Sequence, residues 1–368
     1  MRDRLLNDIL PFWMEHGIDR ECGGILTFLD REGKVYGYDK NVWFVGRALY
    51  TFSVVYNTVS RDQRYLDVAR HMYEFLPRCT DSQTGRMPFV ADREGRPAVT
   101  NDAYYSETFA AIGCAEYYLA TGLEEARTLA HRYFDVAYAL YKKELAEATV
   151  SKALGPSMIL LSVAQVLRQI DFEKYHPIAG ACAEEILTHL TPVGLLENIG
   201  IHGERLNTPA GREINPGHSL EAAWFLLAEG VYRCDDRLKQ AARTVVDISM
   251  SVGYREGGII AFCDCDGNPS EHLEWDMKIW WPQCEAMIAL CLCYAVFGDA
   301  SYLRRYEELR DWVLARYPDP VNGEWFGYMH YDGTLASSLK GNLSKGPFHL
   351  PRMLMLIDRI ERGEDVLR

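Results

Sequence analysis

Two histidines in this sequence fall where a helix begins, and that placement bears on their chemistry. His218 lies in Asn215-Pro216-Gly217-His218-Ser219-Leu220-Glu221, and His349 in Lys345-Gly346-Pro347-Phe348-His349-Leu350-Pro351-Arg352. Asn215 reads as an N-cap and Pro216 as the first helical residue, so His218 sits in the first turn; prolines set His349 near a helix start in the same way. Free backbone N–H groups and the positive helix end disfavour a protonated imidazole there, which makes each position a setting for a neutral base. Glu221 is three residues beyond His218, shares its face, and is expected to fix its tautomer. A lone His-x-x-Glu is weakly specific, and a packed histidine with a solvated glutamate accounts for it as well.

Two further helix starts carry polar and aromatic residues where a core wants leucine. Lys40-Asn41-Val42-Trp43-Phe44-Val45-Gly46-Arg47-Ala48-Leu49-Tyr50 sets Trp43, Arg47 and Tyr50 along one face. Glu274-Trp275-Asp276-Met277-Lys278-Ile279-Trp280-Trp281-Pro282-Gln283-Cys284-Glu285 puts a Trp pair before a helix-starting proline. Two neutral imidazoles facing each other across a pocket, with an arginine and Trp or Tyr walls, suit proton transfer on a sugar carbon. Arg47 would hold a developing oxyanion, and the aromatic faces would stack on the sugar. The same residues admit a packing reading, with Trp43 and Trp281 as core aromatics, Arg47 as a buried ion pair with Glu285, and His349 as a structural residue. The other eight histidines read as surface or packing residues.

These helix starts must be brought together by the architecture, and the sequence is periodic. Glycine-led loops begin at Gly24, Gly85, Gly194, Gly258 and Gly323, about 60 residues apart with one double interval; the missing member is expected near Lys152 to Ser157. Helical patterns fill the intervals in pairs, among them Gln63 to Leu76, Glu124 to Tyr141, Arg237 to Val252 and Ser301 to Ala315. Units of this kind cannot bury their apolar faces alone. Six helix pairs account for the chain, and a closed ring needs no polar-faced end units, so the expected fold is all-α: an (α/α)6 barrel over residues 1–368 as one domain, with short β-hairpin loops at one end. In such a ring the inner helices start at the same end, so residues at those starts converge.

Composition narrows the function classes. A formal charge of -13 with no basic run argues against a nucleic-acid partner. The N-terminus lacks the apolar stretch of a signal peptide and no run approaches a membrane span, so no membrane association and a cytoplasmic location are expected. Ten scattered cysteines without a Cys-x-x-Cys pair read as reduced thiols rather than a zinc site or disulfide framework. Phosphate-loop, serine-hydrolase, dinucleotide and zinc-protease signatures are absent.

With these stretches in view, the chain closely resembles the N-acylglucosamine 2-epimerase family. The resemblance is carried by Phe12-Trp13-x-Glu15-His16, Val42-Trp43-x-x-Gly46-Arg47, Asn215-Pro216-Gly217-His218-x-Leu220-Glu221-Ala222-x-Trp224-Phe225, Lys278-x-Trp280-Trp281-Pro282 with Glu285-Ala286-Met287, Gly323-Glu324-Trp325-Phe326-Gly327-Tyr328, and Phe348-His349-x-Pro351-Arg352. It implies the same barrel and interconversion of N-acetylglucosamine and N-acetylmannosamine by deprotonation and reprotonation at C2 of the ring-opened sugar. His218 and His349 are then the acid/base pair, with Arg47 at the carbonyl oxygen and Glu221 orienting His218. Trp43, Tyr50, Trp224, Lys278, Trp281, Glu285 and Arg352 are expected to bind substrate. The resemblance implies a homodimer and no metal or cofactor for the chemistry, with ATP as an allosteric activator touching the flexible, cationic Lys340 to Gly346 stretch. It leaves open turnover of unmodified mannose, glucose or cellobiose, and a protein-binding role, since mammalian relatives are known as renin-binding proteins. A hydrolase on the same barrel would need two converging carboxylates, for which Asp102, Glu107 and Glu285 are the candidates.

Overall fold

The computed structural model describes residues 1–100 and 103–366; Asp102 lies outside them. The chain opens with α1, residues 2–17, in which α and π turns alternate. Five helix pairs follow: α2 Val42–Val54 and α3 Gln63–Tyr73, α4 Tyr105–Thr121 and α5 Glu124–Glu147, α6 Leu154–Leu167 and α7 Phe172–Thr188, α8 Pro216–Tyr232 and α9 Asp236–Gly253, α10 Trp280–Phe297 and α11 Ala300–Leu314. The chain ends on α12, His349–Glu361, which packs against α1 to complete a sixth pair.

Even-numbered helices pack on one another around the ring and odd-numbered ones lie outside. Their compositions explain the division. On α9 the buried residues Leu238, Ala242, Val245, Val246 and Met250 make one stripe, whereas α10 is buried at every position from Pro282 to Cys293. A helix apolar on one stripe sits at the surface, and one apolar all round must be enclosed. By length and composition α10 could cross a membrane, but 72% of it is buried in the barrel. Between α2 and α4 the approach is close: a Cβ on Gly46 would stand 2.5 Å from the backbone of Phe109. The two glycine-lined faces set the starts of α2 and α4 side by side.

The loops do more than connect. Two or three residues before an inner helix pair antiparallel with the loop of the next repeat: Lys40–Asn41 with Val90–Ala91, Ser151–Ala153 with Asn198–Gly200, Glu213–Ile214 with Cys263–Asp264, and Lys278–Ile279 with Tyr328–Met329. These ladders fix the heights of successive helix starts. The expected loop near Lys152 to Ser157 is not there. Instead α5 runs on for 24 residues and a three-residue strand leads straight into α6.

The first and last repeats close the ring through buried polar contacts. Lys340 and Gly341 donate backbone N–H to the Leu29 carbonyl at 3.1 and 3.2 Å. Trp13 Nε1 donates to Glu324 at 2.7 Å, Lys345 Nζ to Glu324 at 2.8 Å, and Lys340 Nζ pairs with Asp319 at 3.2 Å. Both lysines are buried. The Lys340 to Gly346 stretch is therefore not a flexible cationic loop, because a buried ammonium must be paired, and these two are paired internally.

Candidate active site

The two histidines meet in one cavity. Asn215 caps α8 as expected, accepting from the His218 backbone N–H at 3.0 Å, and His349 is the first residue of α12. Their helices flank α10, and both rings lean on Trp281 of that helix, with centroids 5.3 and 5.5 Å away. The cavity around them, about 290 Å³, lies at the starts of all six inner helices, at the small end of the usual range for ligand pockets.

Each imidazole has its own carboxylate, and for His218 it is not the expected one. His218 Nδ1 lies 3.1 and 3.2 Å from the two oxygens of Glu197. Glu221 instead takes a hydrogen bond from Arg352, whose same Nη2 donates to Glu285 at 2.8 Å. One turn of helix carries Glu221 past the imidazole, where the guanidinium of Arg352 binds it. His349 Nδ1 sits 2.8 Å from Glu285, and Trp224 Nε1 donates to the other oxygen of that carboxylate at 2.8 Å.

These surroundings push the histidines apart. Burial lowers the pKa of His218, but the Glu197 carboxylate outweighs it, so the imidazole ends above its ordinary value. A third of that side chain is accessible, and what it meets is the cavity rather than bulk water. Burial drives His349 well below its ordinary value; Glu221 opposes this and the cations Arg47 and Arg352 reinforce it. Glu285 gives His349 little charge relief, because its carboxylate is already shared with Arg352 and Trp224. Glu221, Glu285 and His349 bring donor atoms within 4.8 Å of one another, but the guanidinium already holds both carboxylates.

Arg47 reaches the same cavity without the ion pair to Glu285 that the packing reading allowed. Its guanidinium lies over Phe109 at 3.9 Å and Phe348 at 4.6 Å, and its Nε is buried with no partner among the described residues. Burial brings its pKa down to about 9, which leaves it charged at neutral pH. A buried cation with no carboxylate partner among the described residues can meet a negative charge that develops in the cavity.

The cavity takes in Trp43, Trp281 and Glu221 from the expected residues, and excludes five. Tyr50, Trp224 and Arg352 line a larger cavity, about 620 Å³, on the far side of the glutamate–arginine layer. Periodicity placed them on the inner face but could not say at what depth. Lys278 is elsewhere again: it is buried, its Nζ donates to the Glu256 carbonyl at 3.1 Å, and it faces Trp312 at 4.9 Å. Lys278 precedes its helix, in the strand that pairs with Tyr328–Met329, and pleating turns its side chain outward. Glu285 lies behind His349 and holds it. Of the hydrolase carboxylates, Glu107 accepts from Arg86 and the Met87 backbone and is committed there.

Glu197 was missed, although the repeats hold a signal for it. The first N–H groups of α2, α6 and α10 donate to the carbonyls of Phe89, Glu197 and Gly327, at 3.0, 2.8 and 2.9 Å. Aligned by that bond, the position is Phe, Glu and Gly, and only one of the three can titrate.

A closed helical barrel whose inner-helix starts hold two histidines, an arginine and tryptophans is the framework of a sugar epimerase. The N-acylglucosamine 2-epimerase family model matches residues 23–346. Human N-acylglucosamine 2-epimerase is 35% identical over 96% of this chain and 88% of its own length. Cellobiose 2-epimerase of Ruminococcus albus is 27% identical over 100% and 99%. A solved sugar epimerase from a ruminal bacterium superposes with a TM-score of 0.84 at 24% identity, covering 99% of this chain and 98% of that one, which shows the shared fold. The chain belongs to the N-acylglucosamine 2-epimerase family, and it is an epimerase.

Proposed function

We propose that the cavity interconverts N-acetylglucosamine and N-acetylmannosamine by passing the C2 proton of the open-chain sugar between His218 and His349. The carrying observation is the pair of imidazoles on either side of Trp281 in one cavity, one held above and one below its ordinary pKa. Two coupled groups pushed in opposite directions make an acid and a base at one pH.

The C1 aldehyde makes the C2–H acidic. Neutral His349 accepts that proton as the C2–H bond breaks, and the electron pair moves onto O1. Arg47 stabilises that oxygen. His218, kept protonated by Glu197, gives its N–H proton to C2 from the other face. The return reaction exchanges the roles. No atom or electron is gained overall, so the step calls for no cofactor. A C2 acetamido group has no hydroxyl proton to shift, which leaves epimerisation rather than conversion to a ketose. The likeness to N-acylglucosamine 2-epimerases, stronger in identity than that to cellobiose 2-epimerases, supports the acetamido sugar as substrate. Likeness to the family alone supports the homodimer, the cytoplasmic location and activation by ATP; Lys340 and Lys345 are not available to that nucleotide.

Incubation with N-acetylmannosamine in heavy water, followed by proton NMR, tests the reading. Loss of the C2 signal together with appearance of the epimer is expected. Turnover of mannose with no C2 exchange in any acetamido sugar would overturn it.

A further inference from the structure

The cavity has two unlike halves. α8 and α12 supply His218, Glu221 and His349 and α10 supplies Trp281, whereas α2, α4 and α6 supply Trp43, Arg47, Tyr105, Phe109, Gly155 and Ile159. Among the described residues Arg47 is the one charge lining the second half, and its guanidinium carbon lies 3.9 Å from the Phe109 ring centroid. Trp43 and Tyr105 meet edge to face with centroids 5.3 Å apart. Gly155 and Ile159 are one turn apart on α6 and so share a face. A Cβ on Gly155 would stand 3.0 Å from Tyr105 Oη, so the missing side chain keeps open the gap between the starts of α4 and α6. That is also the one junction without a glycine-led rim loop.

Substrate geometry decides what faces this wall. With C2 between the two imidazoles, its three other substituents lie in the plane between the rings. O1 of the C1 group goes to Arg47. The C3 to C6 chain carries hydroxyls and needs water or the polar rim at Ser344. The acyl group alone brings a methyl, and a methyl set against Glu221 would meet a charged carboxylate that it cannot hydrogen-bond. The aromatic and aliphatic wall meets no such penalty. We propose that Trp43, Tyr105, Gly155 and Ile159 form the N-acyl subsite, which measures the length of the chain on the C2 nitrogen. This rests on the C2 position proposed above.

The test is kcat/KM for N-acetyl-, N-propanoyl- and N-butanoylmannosamine in the wild type, Ile159→Ala and Gly155→Ala. A methylene in an apolar pocket changes discrimination by about tenfold. Ile159→Ala should raise the butanoyl-to-acetyl ratio by about that factor, and Gly155→Ala should lower it by about the same. Should Gly155→Ala fail to fold, Ile159→Phe supplies the narrowing variant. Equal changes for all three sugars would overturn the subsite, since the wall would then shape the cavity without reading the acyl chain. Absence of C2 exchange in the wild-type enzyme would instead overturn the reaction, and the subsite with it.

Discussion

His218 and His349 each start an inner helix, lean on Trp281 and turn Nδ1 toward a glutamate, yet those glutamates have different obligations. Glu197 is hydrogen-bonded to His218 and, among the described residues, has no arginine partner, so its charge acts on the imidazole. Glu285 is divided among His349, Trp224 and Arg352. A short carboxylate–imidazole contact therefore does not by itself raise a histidine's pKa. The carboxylate's remaining partners decide.

Removing either imidazole should separate the corners most sharply. His218→Asn and His349→Asn are each expected to lower the epimerisation rate by about 10²–10⁴. Each variant should still exchange the C2 proton of one epimer in heavy water, the one whose proton faces the surviving histidine, and the two variants should choose opposite epimers. Exchange of the same epimer by both would place the histidines on one face.

A smaller effect is expected from the glutamates. Glu197→Gln removes the charge that raises His218, so the limb of the kcat/KM profile belonging to His218 should move to lower pH, with a rate loss of about tenfold at neutral pH. Stability should follow opposite signs at the two corners. His218, raised on folding, stabilises fully below its unfolded pKa, and that contribution fades as pH rises through the folded value. His349, lowered on folding, stabilises above its unfolded pKa, about 6.5, and that contribution fades as pH falls toward the folded value. Urea midpoints across pH 5 to 9 in wild type and Glu197→Gln check this. Loss of only the alkaline decline is expected, and loss of the acid decline instead would reverse the assignment.

The least change should come from outside both corners. Lys278→Met is expected to leave kcat/KM within about twofold, because its ammonium faces Trp312 and the Glu256 carbonyl. A loss of tenfold or more at unchanged stability would return Lys278 to the substrate.

The sequence disclosed the ring, the helix starts and the convergence of His218, His349, Arg47, Trp43 and Trp281, because helical and repeat periods set all of these. Depth along the axis was not legible. Tyr50 and Trp224 share the inner face with the site residues but line the cavity beyond the Glu221–Arg352–Glu285 layer. Side-chain pairing was not legible either: Glu221 and Glu197 are both near His218, and only packing determined that Arg352 would claim the first. Local spacing also misjudged Lys278, whose short strand obeys a period of two rather than 3.6.

The seam between α1 and α12 has a consequence for how the chain is made. The Trp13 to Glu324 hydrogen bond joins residues 311 apart in sequence. At about 5–20 residues per second, the ribosome needs roughly 15 to 60 s between emitting the two. Throughout that time the side of α1 that closes the seam has no final partner. The barrel is therefore completed only after its last helix has been made, and until then its nascent form is open along that seam.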